Sequence, residues 1–287
     1  EAFPLPEGIH ERRMALRRQF GGPADDPEKV IATTVDVPTP GAGVSVAASM
    51  IMAAPAHAAV GGATVVRRFP DGVEQRQRVD LGAGVMLELV PIPAGEFMLG
   101  EANGPANERP VARVEMARPF WMGAFEVTNE QFRQFRPDFD ARYYGKRHAR
   151  PDDQGLPLNA ARQPAIGVSW EDATAFCAWL EQRTGRRFLL PTEAQWEWAC
   201  RAGSATPLAF GGLEADFSPW ANLADDAFGA GLMQNGVRQQ SGGLEHLMMD
   251  GADLSDRRCD DRAVVTAPVG SYRPNAWGLF DLHGNAA

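Results

Sequence analysis

Between residues 163 and 203 the apolar positions repeat at helical spacing twice, on either side of a short apolar run. Ala173, Phe176, Cys177 and Leu180 form one stripe, and Trp196, Ala199 and Cys200 share a second face. Each stripe has its own start signal. Ser169 is followed three residues later by Asp172, and Thr192 by Gln195. At that spacing a hydroxyl and a longer polar side chain satisfy the orphan amides of a first helical turn reciprocally. Gly185 and Gly203 mark the two stops, and Pro191 stands just ahead of the second cap. Phe188, Leu189 and Leu190, between the stripes, read as a short buried run. The pattern predicts two helices packed on one core.

Upstream, the period changes. Residues 85–100, VMLELVPIPAGEFMLG, alternate apolar and polar positions up to a Pro-Ala-Gly turn and a second short strand, the pattern of a β-hairpin. A further strand is expected across 111–126, after which Thr128 and Gln131 repeat the capping-box spacing and Pro137 stops the helix they start. Residues 139–163 are polar, rich in Arg and Asp, and embed Tyr143, Tyr144 and His148. Surface loops carry such residues routinely, and binding clefts use them too. From Trp220 to Asp261 the chain is Gly- and Asp-rich without periodicity, the mark of a long loop.

The first 84 residues read as an extension. Residues 8–19, GIHERRMALRRQ, make a short basic helix, expected as a solvated arm, with docking on an acidic partner or a membrane surface as its alternative use. Residues 41–60, GAGVSVAASMIMAAPAHAAV, are small and apolar and look like the core of a signal peptide, but they lie far from the first residue and are too short and interrupted to span a bilayer. Val44, Val46, Met50 and Met52 alternate in part, so a buried or partner-covered strand pair is expected there.

Composition narrows the function. The chain has 287 residues, 44% hydrophobic and 23% charged, which suits one globular domain with an appendage. A formal net charge of −9 argues against nucleic acid as a partner, because phosphate binding needs a basic face. Cys177, Cys200 and Cys259 are too few and too widely spaced for a zinc motif and are expected in the core. Neither a phosphate-cradling glycine loop nor a Ser-centred nucleophile elbow occurs.

Three phrases resemble one family. PAIGVSWEDATAFCAWL, LLPTEAQWEWACRAG and TAPVGSYRPNAWGLFDLHGN, together with IPAGEF near residue 92, are similar to the ordered motif set of the formylglycine-generating enzymes, or sulfatase-modifying factor domains. The resemblance covers about residues 85–287. It implies an α+β, C-type-lectin-like fold with much irregular loop, preceded by the 1–84 extension. It also makes the 224–260 stretch an insertion relative to compact members.

The resemblance carries ligands with it. One calcium site would fall on Asn222, Leu223, Asp261 and Ala263; a second on Asp281, Gly284 and Ala286, with a Glu that the family supplies in a phrase beyond Ala287. Hard cations want such carboxylate, amide and carbonyl oxygens. The family's oxidases hold copper through two cysteines in their C-terminal section and convert a substrate cysteine to formylglycine; those positions also lie beyond Ala287. Secreted members tie cysteines at the positions of Cys177 and Cys200 into disulfides. No residue of this chain is expected to be catalytic. The expectation is therefore a non-catalytic, calcium-stabilised extracytoplasmic binding or assembly module, meeting protein partners through the 1–84 extension or the 224–260 insertion, and a membrane only by association. The alternative is a copper- and oxygen-dependent oxidase. An iron-dependent oxidase of the related sulfoxide-forming type would need a cluster of His that the spacing does not suggest.

Overall fold

The computed structural model describes residues 51–52, 76–102, 104, 108–144, 156–223, 225 and 258–286. Nine short strands are present among them: β1 (Ile51–Met52), β2 (Gln77–Gly82), β3 (Val85–Ile92), β4 (Gly95–Leu99), β5 (Ala112–Met116), β6 (Phe120–Gly123), β7 (Tyr143–Tyr144), β8 (Leu156–Pro157) and β9 (Phe188–Leu189). Helices α1 (Asn129–Phe135), α2 (Trp170–Thr184) and α3 (Glu193–Arg201) complete the regular structure. This is the α+β, loop-rich architecture expected. The basic segment 8–19, His148 and nearly all of the 224–260 insertion lie outside the described residues.

The main sheet runs β2-β3-β6-β1-β9, antiparallel at every junction. Val79 and Leu81 point inward from β2, and the turn to β3 passes through Gly82, Ala83 and Gly84, all at positive φ, which two glycines make cheap. The hairpin expected within 85–100 does not form. β3 spends one edge on β2 and the other on β6, so β4 has no edge to join and pairs instead with β5 in a separate ribbon. The strand expected across 111–126 is likewise two strands, broken at Arg118-Pro119, because proline cannot continue the ladder.

β1 comes from the extension. Ile51 and Met52 pair with Met122 and Trp121 on one side and with Leu189 and Phe188 on the other, so a two-residue strand links β6 to β9. The rest of the 41–60 stretch lies outside the described residues. β2 also precedes residue 85 and belongs to the sheet.

All three helices open with the capping boxes read from their spacing: Thr128 with Gln131, Ser169 with Asp172, and Thr192 with Gln195. Gly185 caps α2 in the left-handed region, and Ala202 does so for α3 one residue ahead of Gly203. Ala173, Phe176, Cys177 and Leu180 are buried on β2, β3 and α1 in a first core that includes Phe132, Val79 and Leu89. A second core gathers Val90, Ile92, Val114, Met122, Trp198 and Leu279 under α3 and the ribbon. Two expectations shift. Leu189 is exposed, because β9 is extended and alternates. On α3 the buried face is Glu197, Trp198, Ala199, Cys200 and Arg201, with Trp196 only half-buried; the Trp198 indole N–H donates to the Pro93 carbonyl at 2.8 Å.

The charged pair on that face is a structural clamp. Glu197 and Arg201, one turn apart, are joined at 2.8 Å with side chains 3% and 8% exposed. Arg201 Nη2 donates to the Gly100 carbonyl, and the Gly100 amide donates to Glu197 Oε1, each at 3.0 Å. The end of β4 is thereby fastened to α3.

Candidate functional site

The C-terminal described stretch, 258–286, has almost no regular structure, so its polar groups are satisfied by side chains. Asp261 is the first hub. Its Oδ2 accepts the Leu223 amide at 2.7 Å, its Oδ1 accepts the Ala263 amide at 2.8 Å, and its own amide donates to the fully buried Asp225. Asn222 Nδ2 donates to the Val265 carbonyl, and the Asn222 amide donates to the Gly284 carbonyl. The structure thus brings Asn222, Leu223, Asp261 and Ala263 into one knot and adds Asp225.

Asn285 joins this knot to a second one. Its Oδ1 accepts from Asn222 Nδ2 and from the Ala267 amide, while its Nδ2 donates to Glu126 Oε2 at 2.8 Å. The Ala286 amide donates to Glu126 Oε1 at 3.0 Å, and the Gly270 amide donates to Asp281 Oδ2 at 2.8 Å. Asp281 Oδ1 is buried with no hydrogen-bond partner. Burial above all, and then the neighbouring Asp281 charge, push the Glu126 carboxyl well above the ordinary carboxylate range, against the pull of its Asn285 and Ala286 donors. Burial raises Asp281 to about 6, opposed by the Gly270 amide.

Two buried carboxyl groups, one with an idle oxygen, suit a hard cation. Asp281, Gly284 and Ala286 stand together here, with Glu126 beside them as a carboxylate that sequence reasoning missed. Among the described residues no group of three or more His, Cys, Asp or Glu is placed to hold a metal, so calcium would also draw on backbone carbonyls and amide oxygens. Calcium would be held by Asp281, Glu126 and their loop carbonyls on one side and by Asp261, Asp225, Asn222 and the carbonyls of Leu223 and Ala263 on the other.

Gly284 makes the junction close. A Cβ there would lie 2.5 Å from Leu223 Cδ2 and 2.6 Å from the Asn222 carbonyl oxygen. Gly284→Ala is expected to force the two loops apart and cost about 1–3 kcal/mol, read from the midpoint of urea denaturation. An unchanged midpoint would mean that the junction yields freely.

The thiols do not assemble a soft-metal site. Cys177, Cys200 and Cys259 are all buried, and none is in a disulfide. Cys177 sits in the first core, where burial pushes its thiol up to about 12. Cys259 packs with Phe217, Ala221 and Leu223. Cys200 lies 3.7 Å from the Leu282 carbonyl and from both ring nitrogens of His283. His283 Nε2 accepts the Ala209 amide at 3.1 Å, a structural use. Copper chemistry through paired thiolates does not fit these three residues.

Beside the knots, and with Asp261 in its lining, the loops frame a cleft of about 810 Å³. Arg262, Arg273, Tyr272 and Phe280 are among the residues that line it, and Arg76 joins them from the segment before β2. Tyr143, in the β7–β8 ribbon, is exposed and is not among the cleft's lining residues.

Several known proteins are similar to this chain. The mouse formylglycine-generating enzyme is 27% identical over 241 residues, covering 70% of this chain and 56% of the relative, so the chain spans little more than half of that protein's length. The bovine inactive C-alpha-formylglycine-generating enzyme 2 is 28% identical over 247 residues, covering 72% of this chain and 71% of the relative. The solved structure of PvdO from Pseudomonas aeruginosa matches with a TM-score of 0.49 at 28% identity, covering 72% of this chain and 71% of that one. A sulfatase-modifying factor enzyme 1-like domain matches residues 83–287, and the chain belongs to that family.

Proposed function

We propose that this chain is a non-catalytic, calcium-stabilised binding or assembly module of its family, working outside the cytoplasm. The observation that carries the reading is the buried acidic knot. Asp281 keeps an oxygen without a partner beside Glu126, and the loops that this knot fastens are the ones that build the cleft. A cation would neutralise the knot and set the cleft walls; the binding surface is then loop, held by metal rather than by secondary structure. The buried, separated thiols support a structural use of all three cysteines. A relative named as inactive, similar over 72% of this chain, is in keeping with it.

A second reading is favoured by the relatives named formylglycine-generating enzyme: a copper- and oxygen-dependent oxidase acting on a protein cysteine, with its copper-binding cysteines supplied from outside residues 1–287. Copper would supply the oxygen chemistry; this chain's residues would only frame the substrate. The test is direct. The native protein is loaded with Cu(I) and incubated in air with a cysteine peptide of the sulfatase type, and the peptide mass is followed. The module reading expects the cysteine to survive at the rate of a copper-only control; conversion to the aldehyde above that control overturns it.

A further inference from the structure

The cleft has a chemistry of its own. Arg262 and Arg273 are exposed and line the cleft from two loops, 258–263 and 268–275, and among the described residues neither forms an ion pair. Arg76, the third guanidinium, is buried and already bound to Glu88 at 3.0 Å, and it packs over the rings of Phe125 and Phe280. Two guanidinium forks are therefore uncommitted.

The carboxylates around them are tied to their own loops. Asp216 accepts the Ser218 amide at 2.9 Å, and the Ser218 and Cys259 side chains with that amide hold its carboxyl below the ordinary range. Asp260 accepts the Arg262 amide at 2.9 Å, and both Asp261 oxygens accept backbone amides. That Asp260 contact closes a turn that keeps Arg262 at φ 66, a left-handed conformation that an arginine holds only when its surroundings impose it. Arg273 is laid over Trp220 at 5.6 Å, and Trp220 is stacked on Phe210 with an interplanar angle of 7°. The Arg273 guanidinium therefore starts from a restricted position, which lowers the entropy it loses on binding, while the fixed backbone of Arg262 sets where its side chain begins.

Guanidinium forks select planar oxyanions, carboxylates above all, by paired N–H donors. The cleft is wide and open, so a small diacid would stay largely in water, whereas an extended chain could lie along it. We infer that this cleft binds an acidic peptide segment of a partner protein, its carboxylates received by Arg262 and Arg273. The inference rests on the binding-module reading and names the partner chemistry.

The test uses the full chain and a series of short capped peptides whose two glutamates are adjacent or separated by one or two glycines, followed by fluorescence anisotropy. The expected result is saturable binding of at least one glutamate peptide, no binding of the glutamine series, and roughly tenfold weaker binding by Arg262→Gln and by Arg273→Gln. Both changes are at exposed side chains, and the far-ultraviolet spectrum and melting point of each variant establish that it has folded. Three outcomes overturn the inference: no glutamate peptide saturates below about 1 mM, both variants bind as the parent does, or succinate binds as tightly as the best peptide, which makes the site one for a free diacid. Failure of the module reading itself is seen separately, as formylglycine formation in the copper assay.

Discussion

Arg201→Ala is expected to destabilise the domain by about 3–5 kcal/mol in chemical denaturation, and Glu197→Ala by a similar amount. Arg201 pairs with Glu197 and donates to the Gly100 and Thr206 carbonyls, and its side chain is 8% exposed. Either truncation leaves the surviving charge without its counter-ion in a place water does not reach, and that desolvation cost dominates the lost contact. Replacing both residues with methionine is expected to cost less than the sum of the single changes, since no charge is left behind. A loss under about 1 kcal/mol for Arg201→Ala would show that the clamp opens to solvent.

Asp281→Asn is expected to move stability the other way. In the calcium-free chain the folded state holds the Asp281 proton up to about pH 6, while the unfolded chain releases it near the ordinary 3.8. The folded state binds more protons between these values, so stability falls as pH rises from about 4 to about 6, and Glu126, also raised, extends the fall upward. At neutral pH the Asp281 penalty is on the order of 3 kcal/mol, part of which the uncharged amide removes. Asp281→Asn should therefore gain about 1–2 kcal/mol at pH 7 with chelator present, and little at pH 4. Its amide keeps an oxygen for the Gly270 amide and presents a donor toward Glu126. Because a neutral amide oxygen is a weaker calcium ligand than an ionised carboxylate, the same change should weaken the response to calcium about tenfold. Denaturation curves across pH, with and without chelator, check both; a variant no more stable than the parent at pH 7 would remove the basis for a strained acidic knot.

Local instructions were the legible part of this chain. The three capping boxes are spelled by residues three apart, and the stripe from Ala173 to Leu180 is spelled by helical period, so these features were readable without any partner. Partner choice was not. Residues 85–100 carry a convincing hairpin pattern, yet β3 takes β2 and β6 as neighbours, a competition among edges that no short window contains. On α3 the four-residue spacing of Glu197 and Arg201 looks like a solvated pair until Gly100 closes over it. The candidate site divides the same way. Asn222, Asp261 and Asp281 were reached through resemblance to a family phrase, whereas Glu126 sits 159 positions from its donor Asn285 and has no local mark except its place before the first capped helix. Arg76, Arg262 and Arg273 meet only in space.

The most direct measurement is thermal unfolding of the full chain at pH 7 in calcium and in chelator. With calcium at about a hundredfold its dissociation constant, binding contributes about 2.7 kcal/mol. The melting point should then rise by about 5–10 °C, with magnesium a poor substitute and Asp281→Asn responding less. A melting point that is the same in millimolar calcium and in chelator would contradict the account, because the acidic knot would then be holding the cleft loops without a cation.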